Sequence, residues 1–182
     1  MPIIKLQEQE TLARFGISKA IDNFPANLTS QEEKNVKTVL EYMDIAYSPT
    51  RSGAAAVSHL CAPGNTFAAP STFPNAHSAE EYAEDHKRVM NALSDLHIVQ
   101  FDVVTAKENF VSLRYTATGS HNGTDHNGIP PTGRRAQWTA AGNFVIDEET
   151  GLIKHWWKDW DKMRMWKQLG WVRPDNDATE FV

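Results

Sequence analysis

Near Ile98 the apolar residues of this chain change from helical spacing to alternation, and helical spacing does not return until Lys162. Upstream, Ser30 and Glu33 read as a capping box, in which each side chain satisfies the other residue's free backbone N–H. Val36, Leu40, Met43 and Tyr47 follow on one helical face, and Pro49 marks the stop. A second box, Ser78 with Glu81, opens a helix that runs to about Asp95 with Tyr82, Val89, Met90 and Leu93 inward. Between the two lie a small helix within 53–60, a short strand at Asn65 to Ala69 and a Pro-rich loop. Downstream, Ile98 to Thr105 and Phe110 to Thr118 read as strands joined by a turn at 106–109. In the second, Val111, Leu113, Tyr115 and Ala117 alternate with Ser112, Arg114, Thr116 and Thr118. A glycine-rich loop (119–133) leads to strands at Arg135 to Ile146 and Leu152 to about Trp160, turning at Asp147 to Gly151. A last helix, Lys162 to Leu169, stops at Gly170.

Helices first and a run of strands afterwards predict an α+β fold rather than βαβ units, with helices gathered on one side of an antiparallel sheet. A strongly curved sheet closed by helices encloses a concave pocket, a natural small-molecule site. The expected organisation is one domain over 30–172. Before it, 1–29 is a mixed, aperiodic extension, partly helical or an arm on a partner subunit. After it, 173–182 is a polar, frayed tail.

The net charge of −5 argues against nucleic acid as a partner, since phosphate binding needs a basic surface. No apolar run approaches the ~20 residues of a membrane span, and the N-terminus lacks the pattern of a signal peptide, so a cytoplasmic protein is expected. The single cysteine, Cys61, rules out an intramolecular disulfide and reads as a small buried apolar residue.

The chemistry concentrates in His155-Trp156-Trp157-Lys158-Asp159-Trp160-Asp161. Alternation in a strand puts His155, Trp157, Asp159 and Asp161 on one face and Trp156, Lys158 and Trp160 on the other. The first set joins two carboxylates, an imidazole and an indole. A carboxylate among aromatic walls is desolvated, and Asp159 beside Asp161 adds like-charge repulsion; both raise a pKa toward neutrality, as acid/base catalysis requires. Asp161 also stands at a strand-to-helix junction, where Asp is a favoured N-cap. All six tryptophans lie at or after Trp138, which suits a thick core or a pocket for a flat ligand. His121, Asp125 and His126 in the glycine-rich loop have metal-binding side chains, but no complementary ligand cluster stands elsewhere, and no metal site is expected.

Gly119-Ser120-His121-Asn122-Gly123 followed by Gly128-Ile129-Pro130-Pro131-Thr132-Gly133-Arg134 resembles the "GTHxG…GIPPTGR" signature of SnoaL-like polyketide cyclases, in the nuclear-transport-factor-2-like superfamily. Ile153 to Trp157, Asp161 and Gln168-Leu169-Gly170 resemble the closing "I…W…D…QLG" pattern. The resemblance spans about Ser30 to Trp171. It implies a cone of curved sheet and packed helices, a homodimer, and no cofactor. It also implies acid/base ring closure of a polyketide or related secondary metabolite by intramolecular aldol condensation, with Asp161 moving the proton and His121 matching the signature histidine. The chain departs from the family pattern at His155, where Glu is frequent, at Gly142, where acidic or polar residues are frequent, and in its longer N-terminal extension.

The leading expectation is therefore a cofactor-independent enzyme, of lyase or isomerase type, acting on a small molecule. Asp161 is its base, His155 or His121 stabilises the enolate oxygen, and Trp157, Asp159, Trp138 and Tyr115 hold the substrate. The alternatives are a dehydratase, isomerase or hydrolase on the same architecture, or a non-catalytic small-molecule or protein-binding module.

Overall fold

A computed structural model describes residues 2–70 and 72–172; the expected tail at 173–182 lies outside them. The elements are β1 (Ile3–Leu6), α1 (Glu8–Phe15), β2 (Ile21–Pro25), α2 (Ser30–Ala46), α3 (Ala54–Val57), a single 3₁₀ turn (Ser58–Leu60), β3 (Cys61–Ala68), α4 (Ala79–Ala92), β4 (His97–Lys107), β5 (Phe110–Ser120), β6 (Arg135–Ile146), β7 (Ile153–Trp160) and α5 (Lys162–Leu169). Seven strands form one curved sheet in the order β1-β2-β4-β5-β6-β7-β3, with α2 and α4 packed over its inner face.

The expected α+β architecture stands, with one correction to the sheet. Strands β4 to β7 are antiparallel neighbours, but β2 joins β4 in parallel and β3 joins β7 in parallel. Parallel neighbours need long crossovers; α2 to α4 supply that length between β2 and β4, and β3 leaves it to reach the opposite edge. The extension at 1–29 is partly helical, as one expectation had it, with α1 between two strands. Its strands β1 and β2 continue the sheet, and Ile21 and Phe24 are buried, the Phe24 ring packing edge-on to Phe15 at 5.5 Å.

The N-terminal cap of α2 sits one residue earlier than expected. Thr29 Oγ1 accepts from Glu32 N–H at 3.2 Å, and the Glu32 carboxylate accepts from Thr29 N–H at 2.8 Å. Glu33, freed from capping, pairs with Arg14. Glu32 also accepts from Glu108 N–H at 3.0 Å in the β4–β5 turn. The backbone N–H groups of Thr29 and Glu108 hold its carboxyl below the usual range. Ser78 caps α4 by accepting from Glu81 N–H, but the Glu81 carboxylate accepts from His77 N–H rather than completing a box.

Register breaks give the sheet its curvature. β4 breaks between Ile98 and Gln100 and again between Phe101 and Val103, and β7 holds one extra residue, Lys154, between Ile153 and His155. Such bulges bend a strand and re-aim the side chains beyond them. The bend leaves a concave inner face, over which Tyr42, Tyr82, Phe144 and Trp156 form an aromatic core; the Phe144 and Trp156 rings stack at 5.0 Å. A Cβ on Gly142 would sit 2.9 Å from Phe144 Cε2 and 3.0 Å from Trp156 Nε1, so these rings fill the space that a polar side chain at 142 would need. Cys61 is buried as expected, and burial pushes its thiol up to about 12.

Candidate functional site

The extra residue in β7 decides which chemistry faces inward. Ile153 and Trp156 are both buried at a spacing of three, so after Lys154 the even-numbered residues point in. A one-residue slip exchanges the two faces of a strand. Lys158 and Trp160 therefore enter the concave side, and the expected inner set of His155, Trp157 and Asp159 lies outside. Trp157 is 43 % exposed, Asp159 is exposed, and His155 Nδ1 sits 2.8 Å from Thr66 Oγ1 on β3.

Asp161 is exposed as well. Its carboxylate accepts from Arg164 N–H at 3.1 Å and so caps α5, while its own N–H donates to Thr139 O at 3.0 Å. It is not part of the wall of the aromatic cavity described below.

The inward side of β7 meets the ends of α2 and α4. Lys158 is 5 % exposed, and its Nζ donates to Tyr82 Oη at 2.9 Å and to Tyr47 Oη at 3.2 Å. Tyr47 Oη also bonds Tyr82 Oη at 3.1 Å and Tyr115 Oη at closer range. One ammonium and three phenols thus form a single polar cluster drawn from α2's end, α4, β5 and β7. Burial pushes the Tyr82 and Tyr115 phenols up, so they remain protonated. The rings of Tyr82, Trp160 and Phe73 lie 4.8, 5.4 and 5.5 Å from the Lys158 ammonium. Such cation–π contacts add to the hydrogen bonds that hold Lys158 in place.

His86 on α4 stacks on Tyr82 at 5.2 Å. Its Nδ1–H donates to Ala46 O at 3.0 Å, which satisfies an open carbonyl at the end of α2 and leaves Nε2 unprotonated. Burial and the Lys158 charge push its imidazole down to about 3.

These groups open on a cavity of about 230 Å³ whose walls include Trp138, Trp160, Trp166 and Trp171. Trp138 was expected here and is buried in the wall. Tyr115, also expected, stands behind Tyr47 and reaches the cavity only through that hydroxyl.

The mouth is built by the loop after β5. His121 is fully buried and is not part of that cavity's wall. Its Nδ1 accepts from Trp171 Nε1–H at 3.0 Å and from Thr132 N–H at 3.3 Å, so Nε2 carries the proton and donates to Thr124 O at 3.0 Å. With both nitrogens engaged, His121 pins the loop and Trp171 rather than meeting a substrate. Gly123 lets the same loop touch α4: its N–H donates to Ala92 O, and a Cβ there would lie 1.9 Å from Asn91 O. At the other end Gly170, with φ of 75°, ends α5 in the left-handed region and turns Trp171 back onto the mouth. There Trp171 stacks on His126 with centroids 3.7 Å apart and planes 8° apart. His126 lines the cavity, and burial together with nearby His121 lowers its pKa. Its Nε2 lies 3.2 Å from the Asn127 amide nitrogen and accepts from it, so its ring proton is on Nδ1. Among the described residues no cluster of His, Cys, Asp or Glu could hold a metal ion.

Sequence reasoning missed Lys158, Tyr47, Tyr82, His86 and His126. The spacing of Ile153 and Trp156 was the available sign that β7 changes face.

A family model for SnoaL-like polyketide cyclases matches residues 37–169. No curated protein sequence matches the chain. Among solved structures, IdmH, a proposed polyketide cyclase from Streptomyces antibioticus, superposes with a TM-score of 0.62 at 22 % identity, over 75 % of this chain and 98 % of that one. A proposed SnoaL-like polyketide cyclase from Jannaschia sp. CCS1 gives 0.65 at 18 %, over 82 % and 100 %. AclR, a proposed hydroxylase from Streptomyces galilaeus, gives 0.63 at 18 %, over 78 % and 99 %. At these identities the likeness is one of fold, and the activities attached to it differ.

Proposed function

We propose that this chain, which belongs to the SnoaL-like polyketide cyclase family, moves protons on a flat, oxygenated small molecule held between its cavity tryptophans, using side chains alone. The observation that carries the reading is the buried Lys158 ammonium on Tyr47 and Tyr82, placed in the wall of an aromatic cavity. A substrate carbonyl oxygen bound at Lys158 gains charge when the neighbouring carbon loses a proton. A preorganised ammonium in a water-poor site stabilises that charge far better than solvent does. His126, whose unprotonated Nε2 can take a proton once the Asn127 amide bonded to it swings aside, is the candidate base at the mouth. The resulting enolate can add to a second carbonyl of the same molecule, which is the aldol ring closure of a polyketide-type substrate, or take its proton back elsewhere as an isomerase would.

Three of the side chains first expected to react fit this reading only indirectly. Asp161 shapes α5, His121 shapes the mouth, and His155 stands on the outer face. The test compares Lys158→Met with Asp161→Asn on a substrate the wild-type protein turns over. The reading expects a loss of about 10²-fold or more in kcat/KM for Lys158→Met and a change within a few-fold for Asp161→Asn. The reverse ranking would return the chemistry to Asp161, and a bound ligand that never changes would favour a binding module.

A further inference from the structure

We propose that the cavity binds most tightly an oxygen anion conjugated to a compact, flat ring system, the charge state a substrate reaches when its carbonyl oxygen at Lys158 takes up charge. This deepens the proposed function and rests on Lys158 facing the substrate. The chain carries a net charge of −5, yet the buried charged side chain in the cavity wall is Lys158, and among the described residues no Asp or Glu lines it. The local charge is thus opposite to that of the whole protein.

A buried charge is costly unless something compensates it. The oxygens that Lys158 touches, on Tyr47 and Tyr82, belong to phenols and bring no negative charge. An ammonium has three N–H donors, and two are engaged by those hydroxyls. The rings of Tyr82, Trp160 and Phe73 stand in cation–π range of the Lys158 nitrogen, at 4.8, 5.4 and 5.5 Å. A ligand oxygen anion would supply the missing charge, take the third donor and form a charge-assisted hydrogen bond.

Size and walls narrow the ligand further. At about 230 Å³ the cavity falls below the ~300–1,000 Å³ usual for drug-sized ligands, which favours a compact ring system over an extended chain. Trp138 and Trp160 meet edge to face at 6.3 Å, and Trp171 is held by stacking on His126 and by its bond to His121, so the walls are rigid aromatic surfaces. Carboxylates and ionised enols or phenols share the required chemistry.

The experiment is calorimetric titration of the full chain with three bicyclic probes: 2-naphthoate, ionised 2-hydroxy-1,4-naphthoquinone, and uncharged 2-acetylnaphthalene, close in shape to the first. At least one anion should bind about tenfold or more tightly than the ketone, as one charge-assisted hydrogen bond implies. Whichever anion leads identifies the carboxylate or the enolate as the natural source. Lys158→Met should erase the margin. The proposal is overturned if the ketone binds as well as both anions, if neither anion binds up to millimolar concentration, or if the margin survives in Lys158→Met. Because the comparison within the wild-type protein needs no variant, a folding defect cannot obscure it. Because it reads binding alone, it can fail while the turnover test on Lys158→Met succeeds, and the reverse.

Discussion

Lys158 on β7 and Tyr82 on α4 are joined by a 2.9 Å hydrogen bond that ties the inner face of the sheet to the helix above it. The same contact seats a positive charge beneath the cavity, so the element that packs the fold is also the one that offers chemistry.

Tyr47 is the centre of that cluster, bonded to Lys158, Tyr82 and Tyr115. Tyr47→Phe keeps the ring and leaves the Tyr115 hydroxyl without its partner. The expected loss of stability is about 1–3 kcal/mol, read from urea unfolding. Adding Tyr115→Phe removes the stranded group, so the double variant should lose less than the sum of the two single losses. Additive losses would mean that the two hydroxyls are not coupled.

His86 predicts a specific acid sensitivity. Its folded pKa is about 3 against an ordinary 6.5, so the unfolded chain takes up a proton there first. The stability it confers is complete above pH 6.5 and is lost as pH falls toward 3, at up to about 1.4 kcal/mol per pH unit. Between pH 6.5 and about 5 the carboxylates contribute little, so His86→Gln should flatten the stability profile in that window. An unchanged slope would contradict a buried neutral imidazole.

His121→Leu should loosen the mouth while leaving the sheet intact. It strips partners from Thr124 O, Thr132 N–H and Trp171 Nε1–H at once. A cost of about 3 kcal/mol is expected, with faster amide exchange at Thr132 and a red-shifted Trp emission. Turnover should weaken mainly through KM, because His121 acts on the wall rather than on the reacting atoms. A pure kcat effect with unchanged exchange would give it a direct role.

Asp161 separates capping from catalysis. Asp161→Ala removes the bond to Arg164 N–H and should cost about 1 kcal/mol, whereas Asp161→Asn retains a capping oxygen and should be close to neutral. Melting curves of the two variants check this. If Asp161→Asn were fully stable but inactive, the carboxylate would have a chemical role that its surface position does not suggest.

Much of this architecture is legible in the amino-acid order. Strand β6 and helix α5 have the expected ends because Arg135, Ile146, Asp161 and Gly170 punctuate them. The cap of α2 was ambiguous by one residue, since Thr29 with Glu32 and Ser30 with Glu33 both satisfy the same spacing. Contacts distant in sequence resolve it: Arg14 takes Glu33, and Glu108 N–H holds Glu32. The site was harder. A lysine amid strand alternation reads as outward, and the extra residue at Lys154 shows locally only in the three-residue spacing of Ile153 and Trp156. The partners that make Lys158 meaningful come from α2's end, α4 and β5. Strands β1 and β2 were hidden for a related reason: Ile21 and Phe24 do not alternate, and β2 is held by antiparallel pairing with β1 across α1 and parallel pairing with β4 rather than by a tight hairpin.

The N-terminal strands carry a practical consequence for anyone shortening this protein. The family match begins at residue 37, but the folded unit begins earlier. Phe101 on β4 donates its N–H to Ala20 O, and β1 in turn shields β2. A chain cut to the family boundary would expose a raw β4 edge and the apolar surface beneath Ile21 and Phe24, the ingredients of edge-to-edge self-association. For this protein, the boundary drawn by sequence kinship is a cut through the sheet.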